Sequence, residues 1–426
     1  METSVPPVRP LSWRVPAIDG LRAFAMLMVF AFHTWEFSSK PELNIALGEW
    51  HFNALALVKS FPAGVDLFMV LSGFCLFLPL CKEGALQKWR LGPYFVRRVR
   101  RIAPPYYAAI LYAIVLPQIL VFLFHLIGIK ADWQPIPSAF QIVTHLLFIH
   151  TLFIEAWNGI NGSFWSLGLE AQFYLAFPIA VWGFSRFGTR FFWAMIAISI
   201  FYRVGVYWFF NITGKPLTAD REFVLSIFFL GRWMQFALGM AAAWLVASQW
   251  KSGRQFSAAQ GTGFIVGAIM FYLLAVSPLA ALSGSFPLPS LLLGMAFAFA
   301  IVGLCASKSP LRAPFENRYL TGLGFISYSV FLIHQPTVWY LSEFLRKFLK
   351  VDGLAMLAAL WTIGFAVVIA ISYGFFLLFE RPFLNTKKLT TEDKTPQNVA
   401  AVDAAQHDVA SIMGKEVLSV QDQSVP

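Results

Sequence analysis

The chain has 426 residues, of which 58% are hydrophobic, 17% aromatic and 13% charged, against about 25% charged in an ordinary soluble domain. This excludes a soluble globular protein, and apolar runs near the roughly 20 residues that a helix needs to cross a bilayer recur from end to end. The net charge of +10 does not point to nucleic acid, because the basic residues fall in short connections between the runs, where the positive-inside bias accounts for them. None of the runs alternates with the period of two of barrel strands, so the fold class is all-α: a polytopic membrane bundle.

In chain order, residues 1–17 carry Pro6, Pro7, Pro10 and Pro16 with no apolar core before a small-residue cleavage site. They read as a cytoplasmic N-terminal segment and not as a removable signal peptide. A transmembrane domain over 18–384 follows, with spans predicted at 21–35, 63–80, 103–128, 164–184, 191–210, 225–247, 261–282, 291–306, 319–341 and 354–379. Segment 139–153 is short for a crossing and contains His145 and His150. Charge decides its fate: with ten spans and the N-terminus inside, the inner loops hold twenty Lys and Arg and the outer loops eight, whereas an eleventh crossing at 139–153 equalises them at fourteen. The positive-inside rule therefore expects ten spans, both termini cytoplasmic, and 139–153 as a re-entrant or interfacial piece. Residues 385–426 lose their aromatics and have the composition of a disordered cytoplasmic tail.

Cys75, Cys81 and Cys305 are too few and too embedded for a disulfide framework, and no pattern of ligands predicts a metal. His145 and His150 have weak metal-ligand spacing and read as structural. There is no GxSxG elbow and no P-loop, so serine hydrolases and ATP-driven pumps lack support. No internal repeat marks the inverted halves of many transporters.

Ionisable groups inside spans cost roughly 2.5–3.5 kcal/mol each on insertion scales and default to functional hypotheses. Arg22, His33, Asp66, Glu170, Arg203, Arg232 and His334 are such groups. Counting at 1.5 Å per residue expects all but Arg22 in one layer toward the outer side. Arg22 and His33 stand eleven residues apart, about 1100° of rotation, which puts them on one face roughly 16 Å apart. That face offers a cation for an anionic ligand at one end and a general base at the other. Each residue also has a plainer reading. Arg22 snorkels to headgroups, Arg97, Arg98, Arg100 and Arg101 report topology, His334 is a helix-end histidine with a satisfied hydrogen bond, and Arg203 and Arg232 pair with Glu170 or Asp66.

Six stretches carry a family resemblance: DGLRAFAMLMVFAFH (19–33), GVDLFMVLSGF (64–74), FVRRVRRIAPPYY (95–107), FWSLGLEAQFYLAFP (164–178), ISYSVFLIHQP (326–336) and FERPF (379–383). Each is short, but six in the same order are specific, and over about 18–382 the chain resembles the acyltransferase 3 family of integral membrane enzymes that acylate sugars and other hydroxyl-bearing acceptors. The resemblance implies acyl-CoA, in particular acetyl-CoA, as co-substrate and no tightly bound cofactor. Arg22, Arg98 and Arg101 would hold the donor, and His33 would act as general base or nucleophile, oriented by Glu170 or Asp66. Trp165, Ser166 and Tyr174 of the WSL motif, with Arg203, Arg232 and His334, would contact the acceptor or line the site. The implied partners are a saccharide or glycolipid acceptor and membrane lipid, in the plasma (inner) membrane. Ala171 stands where the family often has a second glutamate, which concentrates that carboxylate role on Glu170. The tail after 384 is short for the SGNH esterase domain of two-domain members, so the membrane domain is expected to work alone. The rival reading is a transporter or flippase of a lipid-linked saccharide using the same polar layer. A scaffold ranks last, because it leaves the intramembrane charges unexplained.

Overall fold

In a computed structural model of the chain, residues 15–384 are described apart from 49, 131 and 283–285. The expected cytoplasmic N-terminal segment and disordered tail thus lie almost wholly outside the described residues. Helix α1 (Pro16–Phe37) leads into a hairpin of β1 (Asn44–Leu47) and β2 (Trp50–Asn53), antiparallel with Asn44 opposite Asn53. Then come α2 (Ala56–Cys81), α3 (Leu91–Leu126), the short α4 (Ala139–Leu146), α5 (Trp165–Phe187), α6 (Arg190–Thr213) and the short α7 (Ala219–Ser226). The chain continues as α8 (Phe229–Lys251), α9 (Ala258–Val276), α10 (Leu288–Cys305), α11 (Arg318–Phe325), α12 (Ser327–Leu349) and α13 (Gly353–Phe383).

Among the described residues, nine helices are long and apolar enough to cross a membrane: all of the labelled ones except α4, α7, α11 and α12. The expected ninth span, 319–341, is the one that differs. It breaks at Ile326 into α11 and the 23-residue α12. Helix α12 is long enough to cross, but its Ser329, His334, Thr337 and Ser342 are buried in the bundle, so these polar groups face protein and not lipid.

Backbones approach closely where small residues meet, the usual solution when lipid supplies no hydrophobic drive between helices. A Cβ on Gly239 of α8 would lie 2.0 Å from the Val70 carbonyl oxygen, and one on Gly73 of α2 would lie 2.2 Å from that of Phe236. Each glycine thus seats the partner helix's backbone. Phe173 and Phe236, stacked at 4.8 Å, carry the same core toward α5.

Helix α4 has eight residues, begun by a Ser138–Gln141 capping box, and at about 12 Å it is too short to cross. The connection after it dips into the bundle. Asn161 Nδ2 donates to the Leu332 carbonyl of α12 at 3.4 Å, and Phe164 is fully buried with Tyr106 edge-on at 5.1 Å. This agrees with a re-entrant piece and starts α5 inside the bundle. Val15 and Leu384 line one cavity, so the two ends of the described chain sit together. We call this the terminal end. The opposite end carries the hairpin, and there Ser39 bonds Asp352 at 2.9 Å.

Candidate functional site

A cavity of about 480 Å³, within the range of small-molecule sites, rises from the terminal end between α1, α2, α3, α5, α12 and the end of α13. Arg22, Arg98, Arg101, Ser166, Glu170 and Tyr174 all line it. Arg22 donates to Asp19 Oδ1 at 3.2 Å, with its other terminal nitrogen 3.4 Å from the Cys75 thiol. Arg98 lies over the Tyr174 ring, 5.7 Å from its centre, and its Nε is buried without a hydrogen-bond partner. Tyr94 holds the backbone beneath, donating to the Tyr174 carbonyl at 3.1 Å. The Tyr174 hydroxyl donates to Glu170, and Ser166 donates to the Ser163 carbonyl at 3.1 Å. Trp165 is not on the wall; its ring meets Phe223 edge-on at 5.3 Å.

Two of the rings lining the cavity, Phe68 of α2 and Phe331 of α12, meet edge to face at 5.6 Å. His334 stands behind Phe331 at 5.6 Å, and His33 stands beyond it with ring centres 5.3 Å apart. His33 Nδ1 donates to Glu36 Oε2 at 3.4 Å, and Lys40 lies 3.8 Å from the other carboxylate oxygen. The His33 side chain is 14% exposed, whereas His334 is buried. A continuous sequence of groups therefore runs from three arginines at the terminal end, past two phenylalanines, to two imidazoles.

The single polar layer expected from residue counting divides into three places. Glu170 shares the cavity with Arg22, because α5 starts inside the bundle, just after the buried Phe164. Asp66 pairs with Arg232 and accepts from Gln235 Nε2 at 3.0 Å; Arg203 lies in electrostatic range of this pair and of Glu222. Neither Glu170 nor Asp66 is bonded to His33, as was expected of one of them; Glu170 accepts from Tyr174, Asp66 from Arg232, and the carboxylate bonded to His33 is Glu36, one turn along α1. His145 and His150 stack face to face at 4.0 Å, with His150 Nε2 donating to the Phe164 carbonyl at 3.1 Å. Burial pushes His145 down to about 4, and burial together with the neighbouring His145 pushes His150 down to about 3.

Sequence reasoning passed over two carboxylates. Glu36 follows His33 at the i,i+3 spacing that places side chains side by side on a helix, and that spacing was the available signal. Glu380 lies within the FERPF motif, lines the cavity at 3% exposure and accepts from Ser329 Oγ at 2.5 Å. With Asp19 and Glu170 it sets three carboxylates against the three arginines.

Residues 15–377 match the family model described as an acyltransferase domain. Among curated proteins the chain is similar to the peptidoglycan O-acetyltransferase OatA of Listeria monocytogenes, 31% identical over 173 residues, which cover 38% of this chain and 24% of the relative. It is similar as well to the putative peptidoglycan O-acetyltransferase YrhL of Bacillus subtilis, 29% identical over 172 residues, covering 39% of this chain and 23% of the relative. The chain thus spans about a quarter of the length of the curated relatives it matches. No solved structure matches it. With the greater part of its length matched by that model on a helical membrane bundle, the chain belongs to the acyltransferase 3 family.

Proposed function

We propose that the protein is a membrane-bound O-acyltransferase that moves an acyl group, acetyl in the first instance, from acyl-CoA to a hydroxyl of a saccharide or glycolipid. The observation that carries this reading is the alignment of an arginine-lined cavity with a histidine pair across the Phe68–Phe331 contact. Guanidinium groups bind phosphate bidentately, so Arg22, Arg98 and Arg101 suit the anionic part of the donor, and the unpartnered Arg98 Nε offers a donor that lacks an acceptor. The acyl end is directed toward the aromatic pair. At the other end His33, with Nδ1–H held by Glu36, presents Nε2 to the acceptor hydroxyl and takes its proton, while Glu36 balances the resulting imidazolium. The acyl carbon ends on the acceptor oxygen, and CoA leaves with the proton.

The relatives' names, peptidoglycan O-acetyltransferases, support a cell-surface glycan as acceptor. The loop charge tally supports placing the terminal end in the cytoplasm of a plasma (inner) membrane, where the donor is, and the His33 end toward the acceptor. Asp66 then serves the ion pair with Arg232.

Transfer of label from acyl-labelled acetyl-CoA, in membranes holding wild type, His33→Asn or Arg98→Ala, tests the reading. The expected outcome is label in a saccharide or glycolipid with wild type, a loss of about 100-fold or more with His33→Asn, and a raised apparent KM for the donor with Arg98→Ala. Equal transfer with His33→Asn overturns the assignment of the base. Saccharide movement without any CoA dependence replaces the enzyme with a flippase.

A further inference from the structure

Two imidazoles stand between the donor cavity and the hairpin end, and one general base needs only one of them. Their surroundings differ. His33 is partly exposed and bonded to a carboxylate. His334 is buried, faces no carboxylate among its hydrogen bonds, and gives Nδ1 to the Phe331 carbonyl at 2.8 Å. A carbonyl can only accept, so Nδ1 carries the proton, and in the neutral ring Nε2 keeps its lone pair. That Nε2 is buried with no hydrogen-bond partner. An orphaned basic nitrogen in a bundle core calls for an explanation, and its position supplies one: His334 lies one ring from the cavity wall and one ring from His33.

Building on the acyltransferase reading, we propose that His334 is the covalent carrier of the acyl group and that His33 is the base that discharges it. Nε2 of His334 attacks the thioester carbonyl, the carbon–sulfur bond breaks, and CoA departs as thiolate, leaving an Nε2-acylimidazolium whose Nδ1–H remains on the Phe331 carbonyl. His33 Nε2 then takes the proton of the acceptor hydroxyl as its oxygen attacks the acyl carbon. The carbon–nitrogen bond breaks with its electron pair returning to His334 Nε2, and the proton on His33 passes to the CoA thiolate. The net change is acyl-CoA plus alcohol to ester plus CoA. The carboxylate falls where charge builds on the base, and the nitrogen that becomes acylated is the one without a bonded group to displace.

The half-reaction separates this scheme from direct transfer. Purified protein is given acetyl-CoA and isotopically labelled CoA with no acceptor, and label entering acetyl-CoA is measured for wild type, His33→Asn, His334→Asn and His334→Gln. His334→Asn retains an N–H for the Phe331 carbonyl, and His334→Gln places an amide near the Nε2 position, so either variant with an unaltered melting temperature serves. The expected result is exchange with wild type and His33→Asn and loss of exchange with both His334 variants. A wild type that acylates its acceptor without catalysing exchange overturns the carrier, as does exchange that survives in the His334 variants. If the wild type transfers no acyl group to any acceptor, the acyltransferase reading itself has failed, and that result is distinct from the other two.

Discussion

Glu36 shows how much of this site rests on single side chains. It stands one turn after His33, bonds its Nδ1, and is itself held by Lys40. An orienting carboxylate fixes which imidazole nitrogen is free and stabilises the protonated ring. Glu36→Gln keeps an acceptor for Nδ1–H and removes the charge, so turnover falls about 10- to 100-fold while the apparent KM for the donor stays the same. Steady-state kinetics with varied acyl-CoA checks this, and a raised KM with unchanged turnover moves Glu36 out of the base's surroundings. Arg98 is the converse case. Its guanidinium lies over the Tyr174 ring, 5.7 Å from its centre, and lysine does not reproduce its planar fork of donors.

At the scale of elements, two features hold the site in place. The α2–α8 crossing fixes Phe68 and the Asp66–Arg232 pair, and it depends on Gly73 and Gly239. Gly239→Leu drives its side chain into the Val70 backbone, an overpacking that costs about 1–3 kcal/mol. The expected outcome is a lower melting temperature in detergent, and an unchanged one contradicts the packing described. The second feature is the re-entrant connection with its stacked His145 and His150. Both have folded values below the ordinary histidine range, about 4 and about 3, so between roughly pH 6.5 and 3 the unfolded chain binds more protons than the folded one. Their contribution to stability is complete above about 6.5 and is lost as pH falls through that window. Melting temperatures at pH 7 and pH 5 should therefore separate more for wild type than for the His145→Gln, His150→Gln double variant. Equal separations remove the pair from the pH response.

At the scale of the molecule, hydropathy made most of the helices legible, because lipid-facing helices such as α6 and α9 are apolar nearly all round. The short 139–153 piece was legible through loop charge. Helix α12 was blurred because a helix surrounded by protein has no need to be apolar, and its break at Ile326 lacks a strong sequence signal. Depth was the larger difficulty. Counting from the end of a span assumes that the span begins at the membrane surface, and α5 begins just after buried Phe164, so Glu170 joins Arg22 and not His33. Arg22, Arg98, Arg101, Ser166, Glu170 and Tyr174, drawn from three separate motifs, line one space. The partner of His33 was signalled only by the i,i+3 spacing of Glu36, which many helical pairs share.

In the proposed reaction the donor enters at the terminal end and the acyl group leaves at the His33 end. Sealed membrane vesicles of opposite orientation test it with a membrane-impermeant labelled acetyl-CoA supplied only on the outside. Inverted vesicles, which expose the cytoplasmic face, are predicted to acylate acceptor in their interior, where added glycan-degrading enzyme does not reach it, while right-side-out vesicles leave the donor untouched. Transfer by right-side-out vesicles, or product on the same side as the donor, would contradict the path from Arg22 to His33.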